Sequence, residues 1–153
     1  MSAIIGNQAI QKAMQFLREL EGVRLEAYDD GGGVLTIGVG HVMKAGEPRK
    51  ITPEQCAAYL IADIQPALGV VGNLARTTPL NMNQMVALIA FAFNAGVPAF
   101  AGSTLYRKIE KQAPLKEIEF QWMRWKYDNG VIIDGLINRR EAEFALFTCV
   151  RGL

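Results

Sequence analysis

Side chains that ligate metals or attack carbonyls are scarce in this chain. It has 153 residues with one histidine and two cysteines, and its only serines are Ser2 and Ser103. His41, Cys56 and Cys149 are too few and too scattered for a zinc set. Asp29-Asp30-Gly31 lacks the alternating acids and the closing glutamate of a calcium loop, so no metal is expected. Neither serine stands in a nucleophile elbow, which argues against a serine hydrolase. Gly38-Val39-Gly40 lacks the third glycine and the following helix of a dinucleotide loop, and no organic cofactor is expected. The two cysteines lie far apart in sequence and are expected as buried thiols in a reducing compartment rather than as a disulfide.

A surplus of one charge is also missing: 16 Lys plus Arg stand against 15 Asp plus Glu, a formal net charge of +1. Nucleic-acid binding draws its affinity from basic patches, and the one polar stretch rich in charge, residues 44–50, reads as a solvated loop; no nucleic-acid partner is expected. Long apolar runs are lacking as well. The stretch Met85-Val86-Ala87-Leu88-Ile89-Ala90-Phe91-Ala92-Phe93 is far short of the roughly twenty residues of a membrane span, so no stable membrane insertion is expected. Residues 1–6 show neither a basic n-region nor an apolar core, so the protein is expected to stay in the cytoplasm where it is made.

What the chain does have is apolar content: 50% of its residues, enough for a single unit over 1–153 with one substantial core. Ile10, Met14 and Leu17, with Ala13 and Leu20 beside them, recur at helical spacing and predict an amphipathic helix over 7–21, capped by Asn7 and closed by Gly22. Glu21 continues the apolar series. A carboxyl there, in a last turn where the helix dipole is negative, is expected to hold a proton near neutrality and serve as a general acid. The period then changes to alternation, and residues 24–28 and 34–39 predict a hairpin around the polar, glycine-rich turn 29–33. Asp30, in that wet turn, is expected to stay ionised. Two carboxyls in such unlike surroundings fit glycoside hydrolysis, and the Thr36 hydroxyl fits a water-holding role.

Thr52-Pro53-Glu54-Gln55 is a capping box with proline at its first helical position; it opens a helix through Ile61 and Ile64 that Pro66 is expected to kink. Between residues 51 and 100 the only charged residues are Glu54, Asp63 and Arg76. The run 85–93 is therefore read as a central core helix, capped by Asn81 or Asn83 and ended near Gly96. Further helices are predicted over 104–111, 115–127 and 136–150, separated by Gln112-Ala113-Pro114 and Asp128-Asn129-Gly130. Trp122 and Trp125 are expected to be half core and half rim rather than a sugar platform.

Glu21, Asp30 and Thr36, in the spacing E-x8-D-x5-T, are followed by Ile37-Gly38-Val39-Gly40-His41. This resembles the signature of the phage-type lysozymes, or endolysins. Pro79-Leu80-Asn81, Phe93-Asn94-Ala95-Gly96, Phe100-Ala101-Gly102-Ser103-Thr104 and Asn138-Arg139-Arg140-Glu141 resemble the family's later landmarks in the same order. The resemblance implies an α+β, two-lobed lysozyme-like fold: a small β-hairpin lobe at about 22–51, a larger helical lobe at about 66–153 with the N-terminal helix packed on it, and a long helix joining them. It implies a muramidase that hydrolyses the β-1,4 bond between N-acetylmuramic acid and N-acetylglucosamine in peptidoglycan. Glu21 would be the acid, Asp30 the base that activates water and Thr36 the residue that helps place it. It further implies a monomer made in the host bacterial cytoplasm, reaching the wall after a holin permeabilises the membrane. The weak net charge departs from a family often strongly basic.

Four positional expectations accompany this reading. The carboxyls of Glu21 and Asp30 should stand about 6.5–9.5 Å apart, the spacing that leaves room for water and inverts the anomeric carbon. Glu21 should meet Arg139 or Arg140, the only paired arginines on the last helix. Phe93, Asn94 and Thr104 should face the substrate groove from the helical lobe, with Val42 opposite. His41 should be structural and paired with Asp63, because an isolated acid against apolar packing needs a cationic partner. Rival readings at this stage are a lytic transglycosylase, a silent wall-binding module and a lysozyme-like toxin domain; Asp30 and Thr36 argue against the first.

Overall fold

The structure is a computed structural model that describes residues 2–149. Helix α1 (Ala3–Glu21) begins ahead of the expected residue 7, because Ser2 caps it: its Oγ accepts from the N–H of Ile5 at 3.3 Å. It ends on Gly22, whose φ of +74° takes the chain out of the helix while its N–H donates to the Arg18 carbonyl at 2.9 Å. Glycine tolerates that backbone at no steric cost, and this fixes where Glu21 ends up. Strands β1 (Arg24–Asp29), β2 (Leu35–Gly38) and β3 (His41–Val42) form one antiparallel sheet in the order β1-β2-β3. The two-residue third strand is too short to show a period in the sequence; it extends the hairpin beyond the turn at 39–40 and pairs Thr36 with Val42.

Helix α2 (Pro53–Ala75) carries the complete capping box, Thr52 Oγ1 accepting from Gln55 N–H and the Gln55 side chain accepting from Thr52 N–H. It runs through Pro66 without ending. Its first half supplies Cys56, Leu60 and Ile64 to an apolar cluster with Met14, Leu17, Ile37 and Val39. Its second half supplies Ala67, Val71 and Leu74 to a larger cluster around α3 (Met82–Ala95). One helix thus serves both lobes, as expected of the joining element. Among the described residues it is also the one helix long and apolar enough, by length and composition, to cross a membrane.

Helix α3 is buried from Met85 to Ala92, capped by Asn81 through a second capping box with Gln84, and closed by Gly96. A helix with no solvated face places the molecule's largest apolar area at its centre, and Phe91, Phe100 and Trp122 meet there edge to face or tilted at centroid distances of 5.4–5.5 Å. Around it lie α4 (Val97–Ala101), which sequence periodicity did not reveal, then α5 (Thr104–Glu110), α6 (Leu115–Met123) and α7 (Asp134–Phe147). The expected helix over 115–127 stops at Met123. Beyond it β4 (Tyr127–Asp128) and β5 (Val131–Ile132) make a small hairpin with Asn129 at φ +48° and Gly130 at +79°. That is the two-residue turn an Asn-Gly pair prefers. The predicted end of the last helix at Val150 lies outside the described residues.

Candidate active site

A cleft of about 700 Å³ separates the hairpin from the helical lobe. Asp30 lines it from the glycine-rich turn, and Asn94, Trp125, Tyr127, Asp128 and Arg140 line it from the opposite side. The turn is held by its two aspartates. Asp29 Oδ1 accepts from the N–H groups of Gly31 and Gly33 at 2.8 and 3.0 Å. Asp30 Oδ1 accepts from Gly32 at 2.8 Å and Val34 at 3.3 Å. Backbone donors to one oxygen orient the Asp30 carboxylate and leave the other for solvent. Thr36 is buried, and its hydroxyl donates to the Val34 carbonyl at 3.3 Å.

Glu21 sits where the end of α1, the turn after β2 and α7 come together. Its side chain is 24% exposed and accepts from Arg139 Nη1. A Cβ on Gly40, which has φ +64°, would stand 3.3 Å from Glu21 Oε2. Glycine there lets the hairpin backbone close over the acid. Of the two candidate arginines it is therefore Arg139 that reaches Glu21, and Arg140 that reaches the cleft.

Beneath both arginines lies Glu143, with no exposed surface. Its Oε2 accepts from Arg139 Nε at 3.1 Å and Arg140 Nη2 at 2.9 Å, and its Oε1 accepts from Trp122 Nε1 at 3.3 Å. Arg140 Nε is 2.8 Å from Oε1 yet too bent to count as a hydrogen bond, so that contact is electrostatic. Burial pushes the Glu143 carboxyl up, against the pull of the Arg140 and Arg139 guanidiniums. Arg139 Nη2 also donates to the Ala90 carbonyl at 3.0 Å. Glu143 is not among the residues that the sequence singles out; the signal for it is its i+4 and i+3 spacing from the two arginines on a helix.

Of the expected groove residues, Asn94 lines the cleft, exposed, and accepts through Oδ1 from Arg140 Nη2 at 2.7 Å. The other three lie outside the lining. Phe93 packs against both apolar clusters, Thr104 Oγ1 accepts from Arg107 at 3.2 Å, and Val42 is solvent-exposed on β3. Trp122 is core and Trp125 is rim, half-buried beside Phe91. His41 is buried, with Nδ1 2.6 Å from Asp63 Oδ2, and its Nε2 lies 2.9 Å from Glu47 Oε2. Glu47 belongs to the loop 44–50, expected as solvated surface, and instead partners the buried His41. The Lys44 backbone N–H bound to it holds its carboxyl below the usual range, with His41 adding to the effect. Cys56 is a buried thiol pushed up by burial, and it is not joined to Cys149. Among the described residues no group of acids, histidines and cysteines could hold a metal ion.

The family model described as phage lysozyme matches residues 18–143. The chain is 39% identical to the endolysin of Salmonella phage P22 over 139 residues, 86% of this chain and 91% of that one. It is 38% identical to the SAR-endolysin of Escherichia phage Mu over 138 residues, 90% of this chain and 79% of that one. Among solved structures, the muramidase domain of SpmX from Asticaccaulis excentricus superimposes with a TM-score of 0.77 at 33% identity, covering 90% of this chain and 95% of that one. A mutant of P22 lysozyme does so with a TM-score of 0.72 at 34% identity, covering 97% and 98%. With its helix-end glutamate, its hairpin aspartate and a fold shared along nearly its whole length, the chain belongs to the phage lysozyme family of peptidoglycan-lytic glycoside hydrolases.

Proposed function

We propose that the chain hydrolyses the β-1,4 bond between N-acetylmuramic acid and N-acetylglucosamine, with Glu21 as general acid, Asp30 as base and Thr36 helping to place the water. Glu21 gives its proton to the glycosidic oxygen as that bond breaks. Asp30 takes a proton from the water whose oxygen bonds to the anomeric carbon, and attack by that water from the face opposite the leaving group inverts the carbon. The observation that carries this reading is the position of Asp30. Its oriented carboxylate faces Asn94 and Arg140 across the cleft, while Arg139 ties Glu21 to the same turn of α7 that sends Arg140 there.

Arg139 donates to Glu21, so the acid is free to meet the glycosidic oxygen only when that contact loosens as glycan enters. Glu143 supports this step because it also accepts from Arg139 Nε, at 3.1 Å, and so keeps that guanidinium partnered when Glu21 is released. Clearing of outer-membrane-stripped cells tests the assignment. Glu21→Gln should slow it by about 10²–10⁴-fold, and clearing at the wild-type rate overturns the acid role. The family resemblance also supports a monomeric enzyme made in the host cytoplasm that reaches the wall after a holin opens the membrane. Cells expressing it should clear only on permeabilisation with chloroform; clearing without it would contradict that route.

A further inference from the structure

We propose that Arg140 is a specificity-determining positioning residue. It fixes the Asn94 amide with Nδ2 presented to the cleft, so that this part of the groove takes the acetamido carbonyl oxygen of an N-acetylated sugar and rejects the same sugar carrying a free amine. The inference rests on the hydrolase reading above.

An exposed asparagine ordinarily presents either end of its amide. Asn94 has lost that freedom. A guanidinium has five N–H donors and no acceptor, so the Asn94 atom 2.7 Å from Arg140 Nη2 has to be the carbonyl oxygen; the reverse orientation would set donor against donor. Arg140 cannot turn away to accommodate it. Its side chain is 2% exposed, Nη2 also donates to Glu143 Oε2 at 2.9 Å, Nε lies 2.8 Å from Glu143 Oε1, and its Cζ stands 4.5 Å from the centre of the Phe91 ring. Among the described residues Asn94 Nδ2 has no hydrogen-bond partner, and Asn94 lines the cleft. The position therefore offers two N–H donors. A carbonyl oxygen satisfies them, whereas an ammonium brings only further donors. For an accessible neutral hydrogen bond the discrimination should be on the order of tenfold.

The test compares release of reducing ends from purified wall, from the same wall after chemical de-N-acetylation, and from that wall re-acetylated. The wild type should favour the acetylated forms by about tenfold in kcat/KM, mostly through KM. Asn94→Asp keeps a partner for Arg140 but puts an acceptor where the donor was, and should bring the preference to near one at unchanged melting temperature. Arg140→Met with Glu143→Leu, which removes Arg140 together with the carboxylate buried against it and frees the amide to rotate, should also relax it. A wild type that cuts all three walls equally overturns the assignment, as does either variant retaining the full preference; if the double variant does not fold, the Asn94→Asp result decides alone. A wild type that releases no reducing ends from any of them overturns the hydrolase reading itself.

Discussion

Glu143 shows how much of this site depends on one residue that touches no substrate. Its carboxylate is buried among two guanidiniums and an indole, so removing it leaves two cations without their shared partner. Glu143→Leu should cost about 3–5 kcal/mol by chemical denaturation, and combining it with Arg140→Met should recover part of the loss; strictly additive losses would contradict the shared network. Glu47 makes a pH prediction. Its folded-state pKa is depressed below 4.5, chiefly by the Lys44 N–H and also by His41. Its contribution is therefore fully present above the unfolded-state value and is lost as pH falls through the folded one. The stability gap between wild type and Glu47→Gln should be flat above about pH 5 and shrink below pH 4; a gap that widens on acidification would show that the sign is wrong. The Arg139 and Asp63 partnerships were legible because each residue was conspicuous in sequence, a paired arginine and a lone acid in an apolar stretch. Glu143 and Glu47 were not. A glutamate on a charged helix and one in a polar loop look like surface, and only the folded chain shows what lies beside them.

At the scale of elements, the hairpin and α1 form one device whose closure depends on Gly40. Its φ of +64° and the 3.3 Å from its absent Cβ to Glu21 Oε2 mean that Gly40→Ala meets both backbone strain and the acid itself. The substitution should cost about 1–2 kcal/mol in stability and lower activity per folded molecule as well. Wild-type activity in the folded fraction would separate the turn from the catalytic geometry. The elements read correctly from sequence are those with a strong period or a full cap: α1, the Asp29–Gly33 turn, α2 and α3. Those missed are short. Strand β3 has two residues and α4 five, too few for any period to emerge. The β4–β5 hairpin differs from the sequence expectation for another reason: Asp128-Asn129-Gly130 reads as a separator between helices, although an Asn-Gly pair between Tyr-Asp and Val-Ile is itself a hairpin signal.

For the whole molecule, the joining helix α2 commits its two halves to two apolar clusters, so the lobes that face each other across the cleft share one scaffold. The near-neutral balance of 16 basic and 15 acidic residues acts at the same scale. Without a strong positive field there is little long-range attraction to an anionic wall, so lysis rates should change little with added salt; a steep fall between low and physiological ionic strength would show that steering matters after all. The fold and its placement of Asp30 and Asn94 around a cleft lead to one chemical claim, hydrolysis with Glu21 as the acid. Mass spectrometry of the muropeptides released from purified peptidoglycan tests it most directly. The account predicts reducing N-acetylmuramic acid ends from the wild type and, at equal enzyme and time, nearly none from Glu21→Gln. Anhydro-sugar ends from the wild type, or reducing ends from Glu21→Gln at the wild-type rate, would contradict it.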